Sequence, residues 1–237
     1  MSLINKKILV TGATSGIGKS LVLKLADLDL ELAICGRSRT KMNDLLALPE
    51  LKGKVSFQDT FDATDFEQVK TFVSKTTERL GQIDVLVNCA GANASRGNVA
   101  DIPLEDMQNM ININLLSPFV FMQEVFNLSM RAKQMGQIIN VLSTVSGFSN
   151  QGIGAYTASK AGFDALTKVF RKEARDEGVK VSAIYPGGVD TPFREADRPA
   201  YLSAESVADA IVFMMSQQGN CALDELTVRP MVEKNYC

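Results

Sequence analysis

Tyr156 and Lys160 stand four residues apart near the start of a long helix-period segment. On a helix that spacing puts both side chains on one face, so a phenol and an ammonium lie together. A free phenol titrates near pH ~10, too high for easy proton exchange at neutrality; a neighbouring cation lowers it by favouring phenolate. The plainer alternative is an ordinary helix-surface pair. Ser143 stands where a strand-like run ends, at the edge where open α/β sheets take ligands. Thr144 and Ser146 compete with it, and the position at the strand end favours Ser143. Asn114 lies in the middle of an earlier helical segment, with Asn112 as a weaker alternative. The chain contains no histidine. That excludes Ser-His-Asp and Cys-His nucleophiles, H-E-x-x-H zinc sites and any histidine base. Proton chemistry therefore falls to Tyr, Lys, Asp, Glu, Cys or water. Cys35, Cys89, Cys221 and Cys237 form no C-x-x-C pair and no cluster. Buried free thiols are expected, with neither a disulfide framework nor a metal site.

A second constellation stands at the other end of the chain. Residues 11–18 read T-G-A-T-S-G-I-G, between a strand-like run and a helix. Gly12 can turn tightly after the strand, Gly16 lets backbone approach a pyrophosphate, and Gly18 allows close helix packing on the sheet. Free N–H groups and a positive dipole end at the helix start suit phosphates. A nicotinamide dinucleotide is expected on this turn, with Thr14, Ser15 and Ile17 completing its contacts; the alternative is a Gly-rich connection with no ligand. After the second strand comes Arg37-Ser38-Arg39, where an NAD-selective site usually carries an acid for the ribose 2′-hydroxyl. Arg37, with Ser38 as hydroxyl donor and Arg39 close by, suits a 2′-phosphate instead. NADP(H) is therefore expected over NAD(H), against the alternative of a solvated basic helix start.

These residues need a scaffold, and the hydropathy pattern supplies one. Continuous apolar runs at residues 6–10, 31–36, 54–58, 83–88, 137–142, 179–185 and 225–228 read as strands. They alternate with helix-period segments at 16–28, 39–48, 65–80, 104–132, 155–176 and 204–216. Pro118 is expected to kink or break the segment 104–132. Strands apolar on both faces imply a parallel sheet covered by helices on both sides. The expectation is an α/β fold: one Rossmann-like, doubly wound parallel sheet of about seven strands, in a single domain over residues 1–237. Hydrophobic residues make up 46% and charged residues 22%, as in a globular protein with a real core. A net charge of −2 leaves no broad basic surface, so neither nucleic acid nor anionic lipid is an expected partner. No run is long enough to span a bilayer, and the strand-like start at residues 6–10 is unlike a signal peptide. A cytoplasmic location is expected.

Taken together, the motifs resemble the short-chain dehydrogenase/reductase family. The matching pieces are T-G-A-T-S-G-I-G at 11–18, Asp62 after the third strand, N-C-A-G at 88–91, N-L-L-S at 114–117, Ser143, Y-T-A-S-K at 156–160 and P-G-G-V-D-T at 186–191. They cover most of the chain in the family's order. The resemblance implies an oxidoreductase moving hydride between nicotinamide and a carbonyl or secondary alcohol. Tyr156 would be the general acid or base, lowered in pKa by Lys160, which also holds the nicotinamide ribose. Ser143 would hydrogen-bond the substrate oxygen, and Asn114 would bind a water linking Lys160 to solvent. Asp62 and Ala63 would contact adenine, and Asn88, Ala90 and Gly91 would line the cofactor. Asn88 has a structural alternative, bridging neighbouring strands; Asn114 has one as well, tying backbone groups across a bent helix. Pro186 and Gly187 would also line the cofactor, with Val189 and Thr191 on its carboxamide. The resemblance further implies a homodimer or homotetramer packed through the two long helices, with Phe119, Phe121, Phe126, Phe163 and Phe170 available for the core or the interface.

Two regions depart from the family's usual pattern. The segment between Thr191 and residue 204 is short for a lid, which suggests an open pocket and a small substrate. It carries Phe193, Arg194, Asp197, Arg198 and Tyr201, of which Arg194 or Arg198 could receive an anionic substrate or merely be solvated. The ending after Val228 lacks the Gly-Gly pair usual in 3-oxoacyl-carrier-protein reductases. It looks more like broad-specificity reductases of 3-hydroxy acids and related alcohols. Alternatives to a general carbonyl reductase are a 3-oxoacyl-thioester reductase and a non-catalytic NADP-binding redox sensor.

Overall fold

The computed structural model describes residues 3–193 and 197–234. Its seven strands are β1 (Lys7–Val10), β2 (Glu31–Gly36), β3 (Val55–Thr60), β4 (Val85–Asn88), β5 (Gly136–Val141), β6 (Val179–Pro186) and β7 (Glu225–Val228). They form one sheet in the order β3-β2-β1-β4-β5-β6-β7, and every neighbouring pair is parallel. The winding direction reverses between β1 and β4, which opens a crevice at the carboxyl ends of the strands.

Successive side chains along each strand point to opposite faces, and both faces are buried along β1, β2, β4, β5 and β6, while the edge strands β3 and β7 stay partly exposed. Ile8, Val10, Ile34 and Val87 join one core with α1 (Gly16–Ala26), α2 (Arg39–Leu46) and α7 (Ala204–Met215). Leu9, Ala33, Leu86 and Ile138 join a second core with α3 (Phe66–Leu80), α5 (Ser117–Val125) and α6 (Gly154–Asp176). Leu21, Val22 and Leu25 of α1 are fully buried, each contributing roughly 1.5–3 kcal/mol. This is the Rossmann-like α/β sheet that the sequence implies, with helices on both sides.

Element ends follow local chemistry. Asp65 caps α3, its carboxylate accepting from Gln68 N at 3.1 Å, and Gly81 closes that helix with φ 74°. The expected helix 39–48 stops at Leu46, because Leu48 precedes Pro49 and is extended. β3 runs to Thr60 rather than residue 58, since Asp59 and Thr60, polar in sequence, pair with Cys35 and Gly36 of β2. The segment 104–132 is a chain of helical pieces: α4 (Leu104–Ile111), a π-helical turn (Asn112–Leu116), α5, a second π-helical turn (Phe126–Met130) and a 3₁₀ turn (Arg131–Lys133). Pro118 sits in the first turn of α5. Having no N–H, it cannot bond four residues back; the ladder shifts register there, with Ser117 N donating to Asn112 O.

Candidate active site

The turn after β1 is built around its glycines. Gly12 has φ 64°, and a Cβ there would stand 2.8 Å from the Ala90 backbone. A Cβ on Gly18 would overlap Gly12 O. Thr11 fixes the turn to β4, its Oγ1 accepting from Cys89 N and Ala90 N at 3.1 Å each. α1 then begins with no acidic residue in its first turn and with the Ser15 side chain making no capping bond. Its leading N–H groups and positive dipole end face a cleft of about 710 Å³. Bare backbone, an uncapped helix start and room for an extended ligand fit a dinucleotide pyrophosphate.

The cleft is continuous from this turn to the far side of the sheet. Gly12, Ser15, Gly16, Ile17, Gly18 and Arg37 line it together with Ser143, Tyr156, Lys160, Val189 and Thr191, and the Thr191 side chain stands against Gly16 of the turn. Ala90, Gly91, Pro186 and Gly187 complete its wall. Thr14 lies instead behind the turn, its methyl and hydroxyl packed against Gly36. Ser38 caps α2, accepting from Lys41 N at 3.3 Å. Asp62 holds its own loop by accepting from Thr64 N and Thr64 Oγ1 at 2.9 and 2.8 Å. Neither Ser38, Asp62 nor Ala63 borders the cleft. Asn88 is buried, its Nδ2 donating to Asn140 Oδ1 at 2.9 Å across β4 and β5, so it braces the sheet.

In the same cleft, Tyr156 and Lys160 project from the first two turns of α6, and both are buried. Lys160 Nζ donates to Val141 O at 2.9 Å. Burial pushes its ammonium down to about 8, only partly offset by the nearby Cys89. The Cys89 thiol is itself pushed up to about 12 by burial. Ser143 leaves β5 in extended conformation and caps the short 3₁₀ turn Thr144–Ser146. Asn114 occupies the π-helical turn and is fully buried. It accepts from Ala92 N at 3.0 Å and donates to Ala92 O at 2.9 Å and Ser159 Oγ at 3.1 Å. A Cβ on Gly91 would lie 3.0 Å from Asn114 Oδ1 and 3.6 Å from Lys160 Nζ, so both polar atoms converge over that glycine.

Several lining residues went unread in the sequence. Lys41 borders the cleft beside Arg37, one turn into α2; its charge next to Arg37 was the available signal. Asn93, Arg96, Asn150 and Glu233 also line it, and no motif marks them. Phe193 tilts against Tyr156 with ring centroids 5.9 Å apart, and Tyr201 lines the same region. Arg198 N donates to Asp190 Oδ1 at 2.9 Å. Arg194 and Cys237 lie outside the described residues. Of the five aromatic residues considered for an interface, Phe121, Phe126 and Phe163 are buried in the second core.

The model of the short chain dehydrogenase family matches residues 6–202. The chain belongs to this family. Among relatives of this short-chain dehydrogenase are an uncharacterized oxidoreductase of Staphylococcus saprophyticus, 34% identical over 98% of this chain and all of the relative. A 3-oxoacyl-(acyl-carrier-protein) reductase of Thermotoga maritima is 34% identical over 93% of this chain and 94% of its own. Among solved structures, an alcohol dehydrogenase of the archaeon Thermococcus sibiricus, complexed with 5-hydroxy-NADP, superposes with a TM-score of 0.87 at 26% identity, covering 97% of this chain and 98% of that one. The NADP-bound structure of ElxO gives a TM-score of 0.85 at 27% identity over 95% and 97% of the two chains. The protein is thus an oxidoreductase of the short-chain dehydrogenase family. Among its described residues no helix is long and apolar enough to cross a membrane.

Proposed function

We propose that this short-chain dehydrogenase is a single-domain, cytoplasmic, NADP(H)-preferring reductase of small carbonyl compounds, or the reverse alcohol dehydrogenase. The observation that carries it is the one cleft that joins the Gly-rich turn and Arg37 to Ser143, Tyr156 and Lys160. The bound nicotinamide cofactor supplies or accepts hydride there. Gly12, Ser15, Gly16, Ile17 and Gly18 would hold its pyrophosphate, and Arg37 with Lys41 its 2′-phosphate. Arg37 is exposed, as a residue waiting for an anionic group would be. Both NADP-bound neighbours support the same preference.

Tyr156 donates its hydroxyl proton to the substrate oxygen in reduction and recovers it in oxidation. Ser143 donates a hydrogen bond to that oxygen and stabilises the charge developing on it. Lys160, held by Val141 O, sets its charge beside the phenol and favours phenolate. Asn114 keeps a lone pair of Oδ1 beyond the one given to Ala92 N. With Lys160 Nζ converging on the same spot, it would hold a water that returns protons from solvent. A homodimer or homotetramer through the long helices belongs to this reading. The Thermotoga maritima relative favours a second one, a 3-oxoacyl-thioester reductase.

NADPH and NADH oxidation against ketones, diketones, 3-oxo acids and 3-oxoacyl thioesters tests both. NADPH should be consumed faster, and the thioesters decide between the two readings. Tyr156→Phe should lower turnover by about 10²–10⁴-fold with cofactor affinity nearly unchanged, and Arg37→Asp should shift preference toward NADH. A fully active Phe variant would refute the mechanism; an unshifted Asp variant would remove Arg37 from the cofactor site.

A further inference from the structure

The wall of the cleft formed by the turn after β6 is held by residues that follow β7. Gly187 N donates to Val228 O at 2.8 Å, so the turn is first tied to the end of β7 itself. The chain then folds back. Glu233 N bonds Pro230 O at 3.0 Å, and the Glu233 carboxylate returns to the turn, where Oε1 accepts from Gly188 N at 2.7 Å. Its Oε2 faces Arg229 Nη1 at 3.7 Å, and the Arg229 guanidinium lies over the Phe148 ring, 4.7 Å from its centroid. Both Arg229 and Glu233 are mostly shielded from water, with side chains 16% and 17% exposed. The opposite side is closed too: a Cβ on Gly188 would overlap the Tyr201 ring, while one on Gly187 would overlap Glu233 Oε2. Gly187 and Gly188 are therefore clamped between a carboxylate and an aromatic ring.

That placement has a chemical consequence. Gly188 is buried, and its N–H is a backbone donor on a turn whose next residue, Val189, lines the cleft. A charged acceptor gives a stronger bond than a neutral one, and an orphaned buried N–H is costly. Fixing Gly188 thus fixes the wall that follows it.

We infer that Glu233 is a positioning residue for the nicotinamide end of the cleft, acting through its hydrogen bond from Gly188 N. The inference rests on the reading of the cleft as a cofactor site. It adds a requirement that the family's motifs do not contain, because Glu233 lies beyond the last of them. Asp190 N is anchored separately to Leu202 O at 2.8 Å before the chain reaches Thr191 beside Gly16, so a shifted Gly188 disturbs Val189 and leaves the phosphate-binding end intact.

The test compares wild type with Glu233→Ala and Glu233→Gln, since Gln keeps an acceptor for Gly188 N and loses the charge. Affinity is measured for NADP and for 2′-phospho-ADP-ribose, which lacks nicotinamide, by calorimetry, alongside melting temperatures and steady-state kinetics. The Ala variant should bind 2′-phospho-ADP-ribose as wild type does, lose about tenfold of the extra affinity for NADP, as for a lost charge-assisted bond, and show a fall mainly in kcat. The Gln variant should restore most of both. An unchanged affinity margin in the Ala variant, or a Gln variant as impaired as Ala, overturns the inference. Equal losses for both ligands together with a lowered melting temperature also overturn it, because they mark a merely structural role. If wild type binds neither ligand, the cofactor reading itself fails and takes this inference with it; an active wild type with an indifferent Glu233 refutes the inference alone.

Discussion

Lys160 holds a buried ammonium in the cleft. An ammonium removed from water is penalised, and among the described residues it is held by a hydrogen bond to Val141 O. Its ordinary value of 10.5 falls to about 8. Below pH 8 both folded and unfolded chains carry the proton, and the burial penalty acts in full. Between about 8 and 10.5 the unfolded state keeps the proton while the folded state has shed it, so stability rises with pH through that window. Lys160→Met should therefore unfold later than wild type at pH 7, by about 1–2 kcal/mol once the lost hydrogen bond is subtracted. That advantage should shrink as pH climbs through the window, while turnover is lost at every pH. Urea unfolding of both proteins at several pH values checks it; a Met variant that is less stable at pH 7 would show that burial of the charge costs little. The type of residue at Tyr156, Lys160 and Ser143 was readable because chemistry restricts it. Cys89 beside Lys160 was not, since the two are brought together only by the sheet.

Elements were legible wherever one local rule governed them. The inner strands β1, β4, β5 and β6 announce themselves as apolar runs because they are buried on both faces, and α3 carries its own cap at Asp65 and its own stop at Gly81. Reading failed where a partner element decided the outcome. β3 gains Asp59 and Thr60 only because β2 offers Cys35 and Gly36 to pair with. The π-helical turn at Asn112–Leu116 answers both to Pro118 and to the Asn114 bonds with Ala92 and Ser159. Glu233 meets Gly188 across 45 residues of chain, with no periodicity to signal it. The contact of α1 with its own turn gives a prediction at this scale. Gly18→Ala would drive a methyl into Gly12 O, and should cost about 1–3 kcal/mol and weaken cofactor binding with it. Gly147→Ala is the control, with open space around its Cα, and should change stability by less than about 0.5 kcal/mol. Chemical denaturation of the pair measures the difference; equal stabilities would mean that the turn yields easily.

At the scale of the molecule, the cleft takes its walls from the segments after β1, β2, β4, β5 and β6. No fragment that lacks one of these strands contains a whole site. The strand order separates them in sequence and joins them only when β4 docks between β1 and β5. A ligand spanning the cleft therefore distinguishes the finished sheet from every partly assembled one. By mass action it draws the folding equilibrium toward completion: NADP at a hundred times its dissociation constant should add about 2.7 kcal/mol to the unfolding free energy, visible as a shift in the urea midpoint. A ligand that left the midpoint unmoved would be reading only part of the crevice. For a chain whose binding surface exists in no unfinished form, saturation with cofactor is also a quality check on its own assembly.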